Sequence, residues 1–537
     1  MKRICLILLL LTISIQSQAS VLVFSTNGTY VPKTSLSSAS TASDAAGKTI
    51  VVNSPITIDN VTIPLGTTLK IENGGQITIN SGKVLTINGT LVAGIQQVFY
   101  GTGTVVFGQA SVTDVYPQWW GAYSNNTNPT ITTAALNAAF TSTNASLVSR
   151  VRLIAGTYST NAPLNITGQI MIVGDGKANT AINVVGSDGI HIDVAHDSII
   201  MTGFTIKAST RYTSSPNSYL GLTIVNPATG SYKHIYRDMM FDGWGTAVSM
   251  SHLSEATFDN VTIIFGHVGF SFSGTQANVR TTIVNCNVEL DATSGSYGMV
   301  FGEHTEGCHV ANSLFYNTQI GLLAYSSNDN YLINNEFDYF TDKGMYLLDQ
   351  VADPRNMGWS IIGNYFSTAA IGAESGIRID KTYTHASNIG NRIIGNTIQT
   401  YQGSATCSYG IRLTGAYGTN NIIDGNNIKF MATNDILDAT GGAGNIISNN
   451  ACQSAITNNI SGGSIVTNNS GTVAPANVTH YASIGPLKII YSNSIPTTGT
   501  WTQGTVCINT AAVVGQPKGW RCTVAGSPGT WVSEGNL

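Results

Sequence analysis

Charge is what this chain has least of. Of 537 residues, 24 are Lys or Arg and 28 are Asp or Glu, 10% together, against roughly 25% in ordinary soluble domains. A surface of salt-bridged helices is thereby excluded. The scattered basic residues make no positive stripe for a phosphate backbone, so nucleic acid is not an expected partner. Beyond the N-terminus, no segment approaches the ~18 unbroken apolar residues of a membrane-crossing helix. Cysteine is sparse, at seven. Cys286, Cys308, Cys407 and Cys452 are dispersed, read as small buried apolar residues, and do not have the spacing of a zinc site. Cys507 and Cys522 share one compact terminal segment, where a disulfide and two free thiols are equally open.

What replaces charge is amide and glycine: 48 Asn and 57 Gly. With Ser and Thr they suit strands and turns, which points to an all-β chain. Residues 1–19 have a basic start (Lys2, Arg3), an apolar run from Ile4 to about Ile15, and Ser17-Gln18-Ala19 as a small-x-small cleavage site. This is the pattern of a signal peptide, so the expected location is secreted, periplasmic or cell-surface. Residues 20–48 are Ser/Thr/Ala-rich and read as a linker. Residues 49–114 carry short apolar alternations, either a small β domain or the early coils of a longer β structure.

A six-residue pattern (apolar, any, Gly or Asn, often Asn, any, apolar) recurs ten times at spacings of 22 to 35 residues. Clear copies are Leu332-Ile333-Asn334-Asn335-Glu336-Phe337, Ile361-Ile362-Gly363-Asn364-Tyr365-Phe366 and Ile393-Ile394-Gly395-Asn396-Thr397-Ile398. Interleaved with it is Gly-apolar-any-apolar, as in Gly344-Met345-Tyr346-Leu347, Gly376-Ile377-Arg378-Ile379 and Gly410-Ile411-Arg412-Leu413. Each period therefore holds at least two short strands, which bury a face only by stacking coil on coil. The expected fold is a single-stranded parallel β-helix over residues 115–470. A propeller needs a longer period, and a leucine-rich solenoid needs Leu at fixed positions. The Asn near the fourth position is expected both to take the left-handed turn and to bond the same amide one coil on. Thr132 to Phe140 is the one convincing helix, expected to cover the open strand edge of the first coil.

"VYPQWWGA" (Val115 to Ala122), this helix, "VRLIAGTYST" (Val151 to Thr160) and "IMIVGDGKANTAI" (Ile170 to Ile182) together resemble the opening segment of the pectate-lyase-like right-handed parallel β-helix superfamily, which includes phage tailspikes and capsule depolymerases. The resemblance covers roughly residues 49 to 450. It implies a right-handed coil, a polysaccharide partner, and by family analogy a homotrimer and Ca2+, although no three-carboxylate cluster can be named for the metal. The acidic turn that often follows the Trp-Gly-Ala element is replaced by Tyr123 to Asn128, without a carboxylate. The last residues, 471–537, resemble a small C-terminal β module of such proteins. Its Trp501, Trp520 and Trp531 serve either as sugar-stacking platforms or as the core of a mini-domain.

Two constellations carry chemistry. Glu336 and Asp338 flank inward Phe337, with Glu289 and Asp242 placed in the column of Asp338. Carboxylates at i and i+2 are about 6.6–6.8 Å apart at Cα, which suits an acid and a base acting across a glycosidic bond, about 6.5–9.5 Å apart in inverting enzymes. Arg378 and Arg412 lie on successive strands with Tyr346 one coil before, an arrangement that would hold a uronate carboxylate in a polysaccharide lyase. Either set is otherwise a solvated face. His191, His304 and His309 are scattered and read as structural. The expected function is a secreted polysaccharide-degrading enzyme, lyase or hydrolase; the alternative is a noncatalytic glycan-binding surface protein.

Overall fold

The computed structural model describes residues 21–24, 29–41, 47–109, 111–143, 150–192, 198–212, 218–225, 231–273, 277–349, 357–381, 390–401, 406–415, 419–440, 444–453, 456–458, 465–467, 469–470, 482–484 and 487–537. The expected signal peptide lies outside them. The chain divides into two compact units, residues 1–286 and 287–537.

In the first unit the segment read as a linker is in part structured. Val21–Phe24 pairs antiparallel with Tyr30–Lys33 and with Thr49–Val52, because alternating Val21 and Val23 are buried. Ser35 caps the short helix Leu36–Ser40 through a capping box with Ser38. From Thr49 to Phe107, strands pair parallel with the strand three places later, in three sheets taken in rotation. This is the topology of early coils.

The same rotation governs residues 150–286. Arg150–Leu153, which Asp114–Val115 precedes in its sheet, Gly156–Thr160 and Leu164–Ile166 belong to three sheets, and each pairs parallel with its counterpart one turn on. The helix Pro129–Ser142 covers this opening, as expected. It buries Leu136, Ala139 and Phe140. Its polar side chains serve exposed strand N–H groups: Thr133 Oγ1 accepts from Asn161 N at 3.1 Å and Asn137 Oδ1 from Asn165 N at 2.9 Å. An open strand edge is thus capped rather than left to pair with another chain.

Residues 287–467 wind by the same rule, so the fold is a parallel β-helix. Their first sheet contains Tyr331–Ile333, Ser360–Ile362, Arg392–Ile394 and Ile422–Asp424, all parallel. Their second contains Asn287–Leu290, Leu314–Tyr316, Glu336–Asp338, Tyr365–Thr368, Thr397–Thr400 and Asn427–Lys429. Their third contains Ile320–Tyr325, Lys343–Leu348, Ile371–Asp380, Thr406–Thr414 and Asn434–Asp438. A turn thus has three strands, one more than the sequence minimum, and a short fourth strand is added at Thr305–Glu306 here and at Ser231–Tyr232, Leu253–Ser254 and Asn278–Val279 in the first unit. Phe337 and Ile379 point inward, and the Phe315, Phe337 and Phe366 rings stack at 5.0 and 4.9 Å.

The two jobs expected of one Asn are divided between neighbours. The left-handed turn falls on the third motif position, Asn334 (φ 55°) or Gly363 (φ 66°). The fourth position is the buried ladder: Asn335, Asn364, Asn396, Asn426 and Asn450 each donate backbone and side-chain N–H to the Oδ1 of the next Asn, at 2.8–3.0 Å. The recurrent Gly of the third sheet answers a packing need. A Cβ on Gly321 would lie 2.5 Å from both Gly344 O and a Phe337 ring carbon. The second sheet's phenylalanines fill the space that a third-sheet side chain would take.

In the C-terminal sheet, Cys507 and Cys522 are free, buried thiols. They form a small core with Ile490, Trp501 and Trp531. No helix among the described residues is long and apolar enough to cross a membrane.

Candidate active site on the second sheet

Inward Phe337 turns its strand neighbours Glu336 and Asp338 outward, where Glu336 is exposed and Asp338 half-buried. Within residues 287–467 the strand register places Glu289, Tyr316, Asp338, Ser367, Gln399 and Lys429 in one column. Glu289 therefore stands two coils from Asp338, with Tyr316 between. The sequence pattern points to the carboxylates and misses the rings around them. Tyr339 lies 5.3 Å from Tyr316 and 5.9 Å from Tyr401 between ring centroids. Gln399 Nε2 donates to Tyr365 Oη at 2.7 Å. Tyr339 is 40% and Tyr401 41% exposed. Tyr339 also has φ 55°, the left-handed corner shared with Asn317 one coil before, here occupied by a bulky residue that seldom adopts it.

These surroundings act on the acid. Burial pushes the Asp338 carboxyl above its ordinary range, while the Tyr339 amide and the Ser367 and Tyr401 hydroxyls oppose the shift without cancelling it. Burial, then Tyr339 and the Asp338 and Glu289 charges, raise the Tyr316 hydroxyl. A carboxyl that holds its proton to higher pH than usual, beside open aromatic faces, is suited to donate it to a bridging oxygen seated on those rings.

The third sheet of this unit holds the second constellation. Tyr346, Arg378 and Arg412 are in register on successive coils, as expected. The guanidinium groups are already occupied by carboxylates that the sequence pattern does not single out. Arg378 bonds Asp380 Oδ2 at 2.7 Å and lies 3.4 Å from Glu374 Oε1, which Arg412 also binds. Lys343, nearly buried, bonds Asp342 at 2.7 Å and stands 3.8 Å from Glu374. Tyr346 donates to Asp380 at 2.7 Å, and its ring faces both Arg378 and Lys343. Burial works against the Glu374 charge, but Ser375, Arg412, Arg378 and Lys343 outweigh it and hold this carboxyl below the usual range. Three cations meet three carboxylates here. Both guanidinium groups are thus engaged by carboxylates of their own sheet, Arg412 through Nη1 alone, so a uronate would have to compete with Glu374 and Asp380 for them, which does not favour a lyase site. Asp380 was legible as the outward neighbour of Arg378 at i+2, whereas Glu374 sits at a register irregularity beginning at Ile371/Ala373, which no sequence pattern marks.

Other expected site residues fall elsewhere. Asp242 does not face a groove: it is 3% exposed and held by both the Nε and Nη2 of Arg211, at 2.8 and 3.0 Å. Trp501 and Trp531 are buried against each other at 5.9 Å, with indole N–H groups bonded to Thr498 O and Pro528 O. Trp520 packs on the same core. Of the two readings, mini-domain core is the one these contacts support, since indoles packed edge to face and buried are closed to sugars. His191 pairs with Asp188 at 3.2 Å, and His309 stacks on Tyr331 at 4.4 Å. Among the described residues no three His, Cys, Asp or Glu side chains are grouped to hold a metal ion.

No family model and no curated protein matches this chain. Among solved structures it is similar to the Streptococcus pneumoniae surface protein and adhesin PfbA (14% identity, 67% of this chain and 97% of that one, TM-score 0.47). It is similar also to the catalytic unit of a GH87 alpha-1,3-glucanase from Streptomyces thermodiastaticus (15%, 68% and 69%, 0.48) and to an Acinetobacter phage tailspike (13%, 75% and 72%, 0.42). At such identities the likeness concerns the fold and not the activity.

Proposed function

We propose that this chain is an exported enzyme that hydrolyses glycosidic bonds of an extracellular or cell-surface polysaccharide on the outer face of the second sheet of residues 287–467. Asp338 is the general acid and Glu336 the base that activates water. Tyr316, Tyr339 and Tyr401 carry the sugar rings. The observation that supports this most is the unequal setting of two carboxyls on one strand face: Asp338 is raised by burial beside tyrosine rings, while Glu336 stands in solvent. Pairs whose surroundings differ in this way divide acid and base roles, and residues at i and i+2 of a strand, about 6.6–6.8 Å apart at Cα, are compatible with inversion. Secretion and a homotrimer belong to the same proposal; gel filtration at the monomer mass would dispose of the trimer.

The full chain incubated with a panel of neutral and acidic polysaccharides tests the reading. New reducing ends without unsaturated sugars support hydrolysis, and unsaturated ends would transfer the chemistry to a lyase. The exposed tyrosine faces also suit a noncatalytic glycan binder, which would bind on a glycan array and release neither product.

A further inference from the structure

The first unit contains an exposed basic and aromatic corner that the proposed hydrolase does not use. Asp242 is almost fully buried, and two cations converge on it: Arg211 through its Nε–Nη2 edge, and Lys207 at 4.0 Å from Oδ2. One carboxylate against two cations leaves a net positive charge. Both cations remain partly in solvent, with side-chain exposures of 45% and 43%, and the Nη1 end of Arg211 is not part of the pair. The guanidinium lies 4.0 Å above the Phe265 ring, at a distance where cation and ring attract.

Phe265 is the unusual member. It is 45% exposed and sits at φ 52°, a left-handed conformation that bulky residues seldom adopt. The left-handed turn is the corner that recurs after second-sheet strands, as at Gly243, Ala292 and Asn317; the exposed aromatic placed on it is what the core does not need. Beside it Tyr212 and His267 stack at 4.7 Å. The corner is built to bring Arg211 in: Tyr212 N donates to Gly243 O at 2.9 Å, and a Cβ on Gly243 would strike Arg211 at 2.8 Å.

We infer that this corner binds a carboxylated saccharide, its carboxylate on the Nη1 end of Arg211 and on Lys207, its ring on the open part of Phe265. Carboxylate recognition by a guanidinium is charge-assisted, and a flat apolar face with a few placed polar groups is how small ligands are oriented. The inference is independent of any activity at Asp338.

Arg211→Ala would leave Asp242 buried without its partner and unfold this coil, so two gentler variants carry the test. Phe265→Gly removes the ring and relieves the left-handed strain, and Lys207→Gln removes one charge with the Arg211–Asp242 pair intact. Calorimetric titration of the full chain with an oligogalacturonate, and with a neutral cello-oligosaccharide of equal length, reads binding. Expected is binding of the uronate only, weakened by added salt and by roughly tenfold in each variant, with the thermal midpoint of Phe265→Gly unchanged or higher. Absence of uronate binding, equal binding of the neutral sugar, or unchanged affinity in both variants would overturn it.

Discussion

Tyr339 donates its backbone N–H to Asp338 Oδ1 at 2.9 Å from a left-handed turn, so the residue that holds the acid also places an exposed ring beside it. Glycine keeps the amide and accepts the turn without steric cost. Tyr339→Gly is therefore expected to leave stability within about 1 kcal/mol of wild type while raising KM by roughly tenfold through loss of the ring. Thermal unfolding and saturation kinetics check the two halves separately.

The raised Asp338 carboxyl sets a pH dependence. An acid must stay protonated and a base ionised, so kcat/KM should be bell-shaped. Its alkaline limb belongs to Asp338 and lies above the ~3.9 of an ordinary aspartate. In Asp338→Asn the residual activity should lose that limb. A limb unchanged by the substitution would assign the proton to another group.

Glu374 works in the opposite direction. Despite burial, Ser375, Arg412, Arg378 and Lys343 hold its folded value below the unfolded one. The stability it contributes is complete above the ordinary glutamate value of ~4.3 and is lost as pH falls through the folded value. Glu374→Gln should lower the thermal midpoint at neutral pH and flatten its decline below about pH 4. A parallel decline in both proteins would refute the network's share in stability.

Asn396 is fully buried between Asn364 and Asn426. Asn396→Ala removes the acceptor of the Asn364 backbone N–H and the side-chain donor to Ile361 O, while the Asn426 Oδ1 keeps the backbone N–H of residue 396, at about 1–3 kcal/mol for each buried group left unpaired. Urea unfolding should show a loss of that size. A loss below about 0.5 kcal/mol, the scale of an ordinary surface substitution, would mean that the ladder adds little.

How much of this was legible varies by residue. Phe337 and Ile379 were readable as inward because period-2 alternation fixes a strand's faces, and the Asn-bearing motif gave the coil. The motif could not tell that Asn334 turns the chain while Asn335 bonds the next coil, since the two jobs fall on adjacent amides. Arg378 and Arg412 were placed in register correctly, yet Arg378 is taken by Glu374 and Asp380 of its own strand and Arg412 by Glu374 of the preceding coil, and Glu374 follows a register irregularity that alternation does not mark. Tyr339 and Tyr401 were missed because they lie at corners, where alternation lapses. Asp242 was misread because its partner Arg211 arrives from a loop outside the repeat.

The most direct measurement is the rate of reducing-end release from the responsive polysaccharide by wild type and by Asp338→Asn, with both thermal midpoints recorded. Expected is a fall of about 10²–10⁴-fold, the weight of a general acid or base, in a protein that unfolds at an unchanged temperature. An Asp338→Asn variant that is folded and fully active would contradict the assignment of Asp338 as the acid, and with it the placing of the active site on this sheet.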